Sequence, residues 1–197
     1  MKRIGIYAGT FDPVHTGHIV FALQAVERAN LDAVYFLPER KPRHKQGVEH
    51  FGHRVAMLKK AILPHPRFEV LEVDDVSFTI RRTLPALNQK FPHSELVFLF
   101  GSDAVLQLPS WEYSDKLLAN NELAISIRSS DAINTIQAAV SGWQVLPKTL
   151  HIFDSSAPEI ASSNIREALR SNQDAPGALS SVKRYSNQNW LYVSMSQ

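Results

Sequence analysis

The stretch GTFDPVHTGH, Gly9 to His18, follows directly on the apolar run IGIYA. The apolar run predicts a short buried strand, and the small residues Gly9 and Thr10 predict a tight turn after it. His15 and His18 stand three residues apart where a helix is expected to begin, a spacing that puts both imidazoles on one side of a helical turn. Because a helix N-terminus offers free N–H groups to an anion, the stretch indicates a phosphate-handling site.

The rest of the chain alternates between strand and helix patterns. Strands are expected at Lys2–Ala8, Ala33–Leu37, Phe68–Val73, Leu96–Phe100, Leu123–Ile127 and Leu150–Phe153. Helices are expected at His15–Asn30, Phe51–Leu63, Thr83–Phe91, Asn164–Arg170 and Leu179–Asn187, whereas 129–148 is ambiguous between helix and loop. This alternation predicts an α/β fold, a doubly wound, Rossmann-like parallel sheet with helices on both faces. Ligands of such sheets bind beyond the carboxyl ends of the strands, where Gly9–Thr10 and Gly101–Asp103 are expected.

Composition narrows the class of protein. With 197 residues and 44% apolar content, the chain suits a single domain, in which 160–197 is expected to be a C-terminal helical segment. The formal net charge is only +2 and no long basic block occurs, which disfavours nucleic acid as a partner. The absence of cysteine excludes disulfides and thiol catalysis. No apolar run approaches a membrane span and no signal peptide is evident, so we expect a cytoplasmic protein without membrane contact. The sequence leaves a homo-oligomer open.

Five motifs carry a family resemblance. GTFDPVHTGH resembles the signature of the HxGH nucleotidyltransferase superfamily. Four further stretches narrow the resemblance to the nicotinate-nucleotide (nicotinamide-nucleotide) adenylyltransferase family. In chain order they are FLPERKPRHK, SFTIRRTL, LVFLFGSDAVLQLPSW and IASSNIREAL. The closing VKRYSNQNWLY is similar to the family's last helix and tail. The resemblance spans the whole chain and implies an enzyme of NAD biosynthesis that joins ATP and nicotinate mononucleotide into deamido-NAD, releasing pyrophosphate.

The resemblance also implies roles for individual residues. Catalytic roles are expected for His15, His18, Lys45 and Arg166. ATP contacts are expected from Gly9, Thr10, Phe11, His15, His18, Gly101, Asp103, Arg128, Ile160, Ser162, Ser163 and Arg166. Acceptor contacts are expected from Thr10, His44, Lys45, Thr79, Asp103 and Trp111. The segment 160–197 would complete the ATP site, and Mg²⁺ would be bound mainly through the ATP phosphates, without a dedicated set of protein ligands.

The chemistry of such a reaction suits these residue types. The acceptor phosphate attacks the α-phosphorus of ATP as an anion, so neither a serine nor a cysteine nucleophile is needed. The protein has to bring two polyanions together and to stabilise the charge on the leaving oxygens, which is a matter of positioning and electrostatics. Zinc is the other ligand that paired histidines favour, but no third ligand is evident beside His15 and His18.

Two departures from the family pattern bear on the acceptor. Ala161 stands where a serine is common, and SFTIRRTL has one extra residue between Thr79 and Thr83. Because backbone groups near Thr79 and Trp111 are expected to bind the pyridine substituent, nicotinamide mononucleotide or phosphopantetheine remain alternative acceptors, as in other adenylyl- or cytidylyltransferases of the superfamily. A non-catalytic dinucleotide-binding protein is a further alternative, but it calls for G-x-G-x-x-G after the first strand, where this chain has GTFDP.

Overall fold

Six parallel strands form the sheet at the centre of the molecule. The computed structural model describes residues 1–43, 45–127, 131–154 and 160–193, with the backbone alone at 131 and 132. The strands are β1 (Lys2–Gly9), β2 (Ala33–Pro38), β3 (Phe68–Val70), β4 (Ser94–Gly101), β5 (Glu122–Ile127) and β6 (Leu150–Asp154). They pair in the order β3-β2-β1-β4-β5-β6, and each neighbouring pair is parallel. This is the doubly wound order, in which the direction of winding reverses between β1 and β4, and it confirms the predicted fold class.

Helices cover both faces of the sheet. They are α1 (Thr16–Arg28), α2 (Phe51–Ile62), α3 (Ile80–Lys90), α4 (Ser102–Gln107), α5 (Ser114–Asn120), α6 (Asp131–Ser141), α7 (Ser162–Arg170) and α8 (Ser180–Gln188), with a 3₁₀ turn at Leu108–Ser110. None of the helices within the described ranges is long and apolar enough to cross a membrane.

Strand β4 shows why both faces need helices. Its side chains alternate between the faces, and those on each face are buried in a separate apolar cluster. Val97 and Leu99 pack in the cluster covered by α1, α2 and α8, whereas Phe98 and Phe100 pack in the cluster covered by α3, α4, α5 and α6. A strand buried on both faces has a continuous apolar sequence, as the central LVFLF has.

The structure corrects two element boundaries, resolves one ambiguous stretch and adds two short helices. Helix α3 begins at Ile80 and not at Thr83, because the Oγ1 of Thr83 accepts a hydrogen bond from the Thr79 N–H (3.1 Å) and so closes the first turn earlier. Strand β3 ends at Val70, three residues before the predicted end. The ambiguous stretch contains α6 followed by a loop. Helices α4 and α5 were not predicted, since segments of six and seven residues are too short to show a helical period.

A charged network ties strands together at the amino ends of the sheet. The guanidinium of Arg3 donates to Glu95 (2.6 Å) and, through both terminal nitrogens, to Glu122 (2.9 Å each). The Oε2 atom of Glu122, which accepts from Arg3, also lies 2.8 Å from His151 Nε2. Burial works to raise the pKa of Glu122, but the hydrogen bonds from Arg3 and His151 outweigh it and hold the pKa below its ordinary value of 4.5.

This network predicts a pH-dependent contribution to stability. A lowered folded-state pKa means that Glu122 stabilises the fold above about pH 4.5 and loses this effect as the pH falls through the lower folded value. We expect Glu122→Gln to lower the free energy of unfolding by about 2 kcal/mol at pH 7, and the difference from wild type to shrink below pH 4.5. Urea unfolding between pH 7 and pH 3 measures this, and a difference that stays constant would contradict it.

Candidate active site

A cavity of about 480 Å³ opens beside the carboxyl end of β1, between the first turns of α1 and α7. It brings together eight of the predicted ATP-site residues and one further predicted catalytic residue, Lys45; the eight are Gly9, Thr10, Phe11, His15, His18, Ser162, Ser163 and Arg166. These residues come from three distant parts of the sequence. Their meeting point is where a doubly wound sheet is expected to bind its ligand.

The two histidines are held against each other. His15 is the N-cap residue of α1, and its ring centroid lies 3.7 Å from that of His18. The Nδ1 atom of His18 accepts a hydrogen bond from the His15 backbone N–H (3.2 Å). Because a neutral imidazole that accepts at Nδ1 carries its proton at Nε2, this contact makes Nε2 of His18 a hydrogen-bond donor.

Two glycines leave room for aromatic rings. A Cβ atom on Gly9 would lie 2.9 Å from the Phe11 ring, so the glycine lets this ring pack directly against the backbone of the turn. A Cβ atom on Gly17 would lie 3.1 Å from the His15 imidazole. Gly17 therefore allows the His15 ring to fold over the start of α1 and to stay stacked on His18.

The N-terminus of α7 opens into the same cavity. Its N-cap residue, Ala161, has no polar side chain, so the first-turn N–H groups keep their positive partial charge. The helix is fixed to the turn after β1 by two hydrogen bonds: Ser162 Oγ donates to the Pro13 carbonyl (2.9 Å), and Arg166 donates to the Asp12 carbonyl (2.6 Å). The departure at Ala161 thus leaves a helix end suited to an anion.

Lys45 lies on the boundary between this cavity and a second one. It comes from the loop between β2 and α2, and its Nζ donates to the Thr10 Oγ1 (2.9 Å). The predicted site residue next to it, His44, lies outside the described residues.

The second cavity, of about 540 Å³, lies between the carboxyl ends of β1 and β4 and shares Ala8, Gly9, Thr10 and Lys45 with the first. Aromatic residues form its apolar side: the Trp111 ring packs edge-on against Phe100, with centroids 5.8 Å apart, and lies 6.4 Å from Phe78. Arg43 also lines it and donates to the Phe78 carbonyl (2.8 Å). The cavity suits a flat ring with an anionic group.

A smaller cavity of about 190 Å³ adjoins the second one and contains Thr79. The extra residue in SFTIRRTL places Thr83 four positions after Thr79, and the Thr79 N–H is therefore bonded to the Thr83 hydroxyl. The Thr79 Oγ1 atom is buried and has no hydrogen-bond partner among the described residues. Of the two donor groups of Thr79, the N–H is therefore engaged within the described part of the chain and the hydroxyl is not.

Other predicted site residues lie outside these cavities or outside the described chain. Gly101 and Asp103 are exposed at the end of β4 and the start of α4, and neither is among the described residues that line the three cavities. Ile160 packs against Gly177, where a Cβ atom would lie only 2.5 Å from it. Arg128 is not among the described residues.

A buried arginine that was not predicted from the sequence holds the segments of the site together. Arg54, on α2, is 1% exposed and donates to four backbone carbonyls, those of Thr10 (2.6 Å), Glu39 (2.8 Å), Glu49 (2.9 Å) and Arg40 (3.1 Å). Burial lowers its pKa, an effect that the nearby Asp12 carboxylate opposes. No local pattern marks this residue, because its partners lie on other segments.

Comparisons with known proteins agree with this geometry. A family model described as cytidylyltransferase-like matches residues 6–168. A nicotinate-nucleotide adenylyltransferase of Bacillus subtilis is 35% identical over 202 residues, which cover 98% of this chain and 100% of the relative. Among solved structures, Plasmodium falciparum nicotinic acid mononucleotide adenylyltransferase complexed with NaAD matches with a TM-score of 0.80 at 20% identity, covering 98% of each chain. At that identity the likeness concerns the fold.

The fold and the cavities define the class as a nucleotide-binding α/β protein of the cytidylyltransferase-like kind. Within that class, the chain belongs to the nicotinate-nucleotide adenylyltransferase family. The resemblance seen in the five motifs is confirmed.

Arg54 provides a test of how the site is held. Lysine keeps the positive charge but cannot donate to four carbonyls in the geometry of a guanidinium. We expect Arg54→Lys to lower the free energy of unfolding by about 2–4 kcal/mol, because buried carbonyls lose their donors. Urea unfolding at pH 7 measures the change, with the exposed Lys59→Arg on the same helix as the control. A loss below about 0.5 kcal/mol would contradict the role.

Proposed function

We propose that this protein transfers the adenylyl group of ATP to nicotinate mononucleotide, giving deamido-NAD and pyrophosphate for NAD biosynthesis. The observation that carries the proposal is the pair of cavities that meet at Gly9, Thr10 and Lys45. One cavity has the donors that a triphosphate needs, and the other has the aromatic wall and the cation that an acidic pyridine ring needs. The membership in the nicotinate-nucleotide adenylyltransferase family supports the same reaction.

The proposed reaction balances without a protein nucleophile. An oxygen of the acceptor phosphate forms a bond to the α-phosphorus of ATP, and the bond from that phosphorus to the bridging oxygen of the β-phosphate breaks. Pyrophosphate leaves with the electron pair. Because the nucleophile and the leaving group are both anions, the transfer itself needs no general base, and the rate depends on alignment and on charge stabilisation.

In the first cavity, different side chains would bind different phosphates of the ATP. His18 Nε2 and His15 would donate to the phosphates on either side of the reacting phosphorus. The N-terminus of α7, with Ser162, Ser163 and Arg166, would hold the terminal phosphates. These donors are placed before the substrate arrives, which is the arrangement that stabilises developing charge most effectively.

The acceptor would occupy the second cavity, with its phosphate toward Thr10 and Lys45. Its pyridine ring would pack on Trp111, and its carboxylate would face Arg43 and the unpartnered hydroxyl of Thr79. A carboxylate can accept from both groups and pairs its negative charge with the guanidinium, whereas the amide of nicotinamide mononucleotide is neutral. The acid is therefore the favoured acceptor.

A divalent cation would come with the ATP. Within the described part of the chain, no group of three or more histidine, aspartate or glutamate side chains is placed to hold a metal ion. Asp12 is a carboxylate that lines the first cavity, and its oxygens already accept from Tyr192 and from the Glu49 N–H. The site therefore fits an ion such as Mg²⁺ that is bound by phosphate oxygens, where it would neutralise part of their charge.

The reaction is tested by measuring pyrophosphate release with ATP and each of three acceptors: nicotinate mononucleotide, nicotinamide mononucleotide and phosphopantetheine. We expect kcat/KM to be highest for nicotinate mononucleotide, by about 100-fold over the amide, since the neutral amide forms no charge-assisted hydrogen bond with Arg43. A preference for nicotinamide mononucleotide would refute nicotinate mononucleotide as the acceptor. Pyrophosphate release with phosphopantetheine alone would show that the protein has the activity of another member of the superfamily.

Gly17 and Gly52 form a matched pair for testing the histidine arrangement. Each is the second residue of a helix that follows a histidine N-cap, so alanine should stabilise both helices by up to about 1 kcal/mol. A Cβ atom on Gly52 lies at an ordinary 3.5 Å from His50, whereas one on Gly17 crowds the His15 ring at 3.1 Å.

We therefore expect Gly17→Ala to lower kcat at least about tenfold without lowering the melting temperature, because displaced phosphate donors cost rate and not stability. Gly52→Ala should keep wild-type kcat. Steady-state kinetics and thermal unfolding of both variants decide the matter, and equal kcat values for the two would show that the position of the His15 ring does not affect the rate.

A further inference from the structure

Asp12 connects three separate parts of the chain beneath the first cavity. Its side chain is buried, with 3% of the residue exposed. One carboxylate oxygen accepts from the Tyr192 hydroxyl (2.6 Å), and the other accepts from the Glu49 N–H (3.3 Å). The backbone carbonyl of the same residue accepts from Arg166 (2.6 Å), whose NH1 atom lies 3.9 Å from the carboxylate. Arg166 thus has both a carbonyl and a carboxylate within reach.

Tyr192 is placed to decide which of these groups Arg166 uses. It follows α8, 180 positions after Asp12, and is only 4% exposed. Burial, and then the adjacent Asp12 carboxylate, raise the pKa of its hydroxyl, so the group keeps its proton and acts as a donor. With Tyr192 and Glu49 donating to the carboxylate, Arg166 is bonded to the carbonyl and lines the cavity.

We propose that Tyr192 is a positioning residue for ATP: by donating to Asp12 it keeps the Arg166 guanidinium directed into the triphosphate cavity. Without the hydroxyl, one buried carboxylate oxygen lacks a donor. Arg166 is the nearest cation that can supply one, and a bidentate pair with Asp12 would draw it away from the phosphates. The effect is confined to ATP, because neither Tyr192 nor Asp12 lines the acceptor cavity. The inference rests on the proposed use of the first cavity for the triphosphate.

The test compares two tyrosines that differ in what their hydroxyls contact. Tyr192→Phe removes the bond to Asp12 and keeps the buried ring. Tyr185→Phe, on α8, removes a hydroxyl that lies 3.0 Å from His53 Nδ1, away from the cavity. Calorimetry with a non-hydrolysable ATP analogue measures Kd without turnover, and steady-state kinetics give KM for each substrate.

We expect Tyr192→Phe to raise the Kd for the ATP analogue about tenfold, the size of one lost bond to a charged group, with KM for the acceptor unchanged. Tyr185→Phe should leave the Kd at the wild-type value, even if it lowers the melting temperature by as much as Tyr192→Phe does. In an Arg166→Ala background, Tyr192→Phe should add nothing to the loss, because the residue acts through that arginine.

The inference is overturned by an unchanged Kd in Tyr192→Phe, by an equal rise in Tyr185→Phe, or by additive losses with Arg166→Ala. If Tyr192→Phe does not fold, Asp12→Asn is used, which should lower the Kd for the ATP analogue because a neutral amide neither attracts the guanidinium nor repels the phosphates, whereas a raised Kd would overturn the inference. If the wild-type protein binds the analogue but releases no pyrophosphate with any acceptor, the proposed reaction fails while the role of Tyr192 stands.

Discussion

The structure depends on how the backbone of the turn between β1 and α1 is satisfied. This turn has no ladder or helix of its own to pair its polar groups, and buried backbone groups need partners. The partners come from elsewhere: Arg54 for the Thr10 carbonyl, Arg166 for that of Asp12, Ser162 for that of Pro13, and the Gly177 carbonyl for the Thr16 N–H. Since these partners lie on α2, on α7 and on the segment after α7, the segments that form the site are positioned by the same bonds that hold the turn.

The electrostatics of the site follow from this arrangement. Two polyanions have to meet, and any uncompensated negative charge nearby would oppose them. Asp12 lies beside the first cavity, but its carboxylate is engaged by Tyr192 and the Glu49 N–H. In the second cavity, Glu39 accepts from the Phe78 N–H and Arg43 donates to the Phe78 carbonyl. The negative and the positive side chain are thus both bonded to the backbone of one residue. The groups that face the cavities with hydrogen-bond donors or positive charge are a helix end, two histidines and the cations Arg43, Lys45 and Arg166.

The features that the sequence predicted are those encoded by neighbouring residues. Local apolar runs predicted the six strands and the doubly wound sheet. The three-residue spacing of His15 and His18 predicted that the two rings lie on the same side of the helix start. Arg54, Asp12 and Tyr192 were missed because their roles depend on bonds to segments far along the chain. The start of α3 was misplaced because one inserted residue changed which hydroxyl closes its first turn. Asp103 was expected at the site from its position after a strand, yet its exposed place on α4 is set by how that short helix leaves the sheet.

The contact between Tyr192 and Asp12 also has a consequence for biosynthesis of the chain. The two residues are 180 positions apart, and the Pro13 carbonyl likewise depends on Ser162, 149 positions later. At about 5–20 residues per second, a ribosome takes roughly 10–40 s to add the intervening chain. During that time the sheet-forming strands can already pair, while the loop around Asp12 has none of its late partners. The loop around Asp12 therefore obtains these partners only after all six strands have been synthesised, so the phosphate site is the last part of this fold that can be completed.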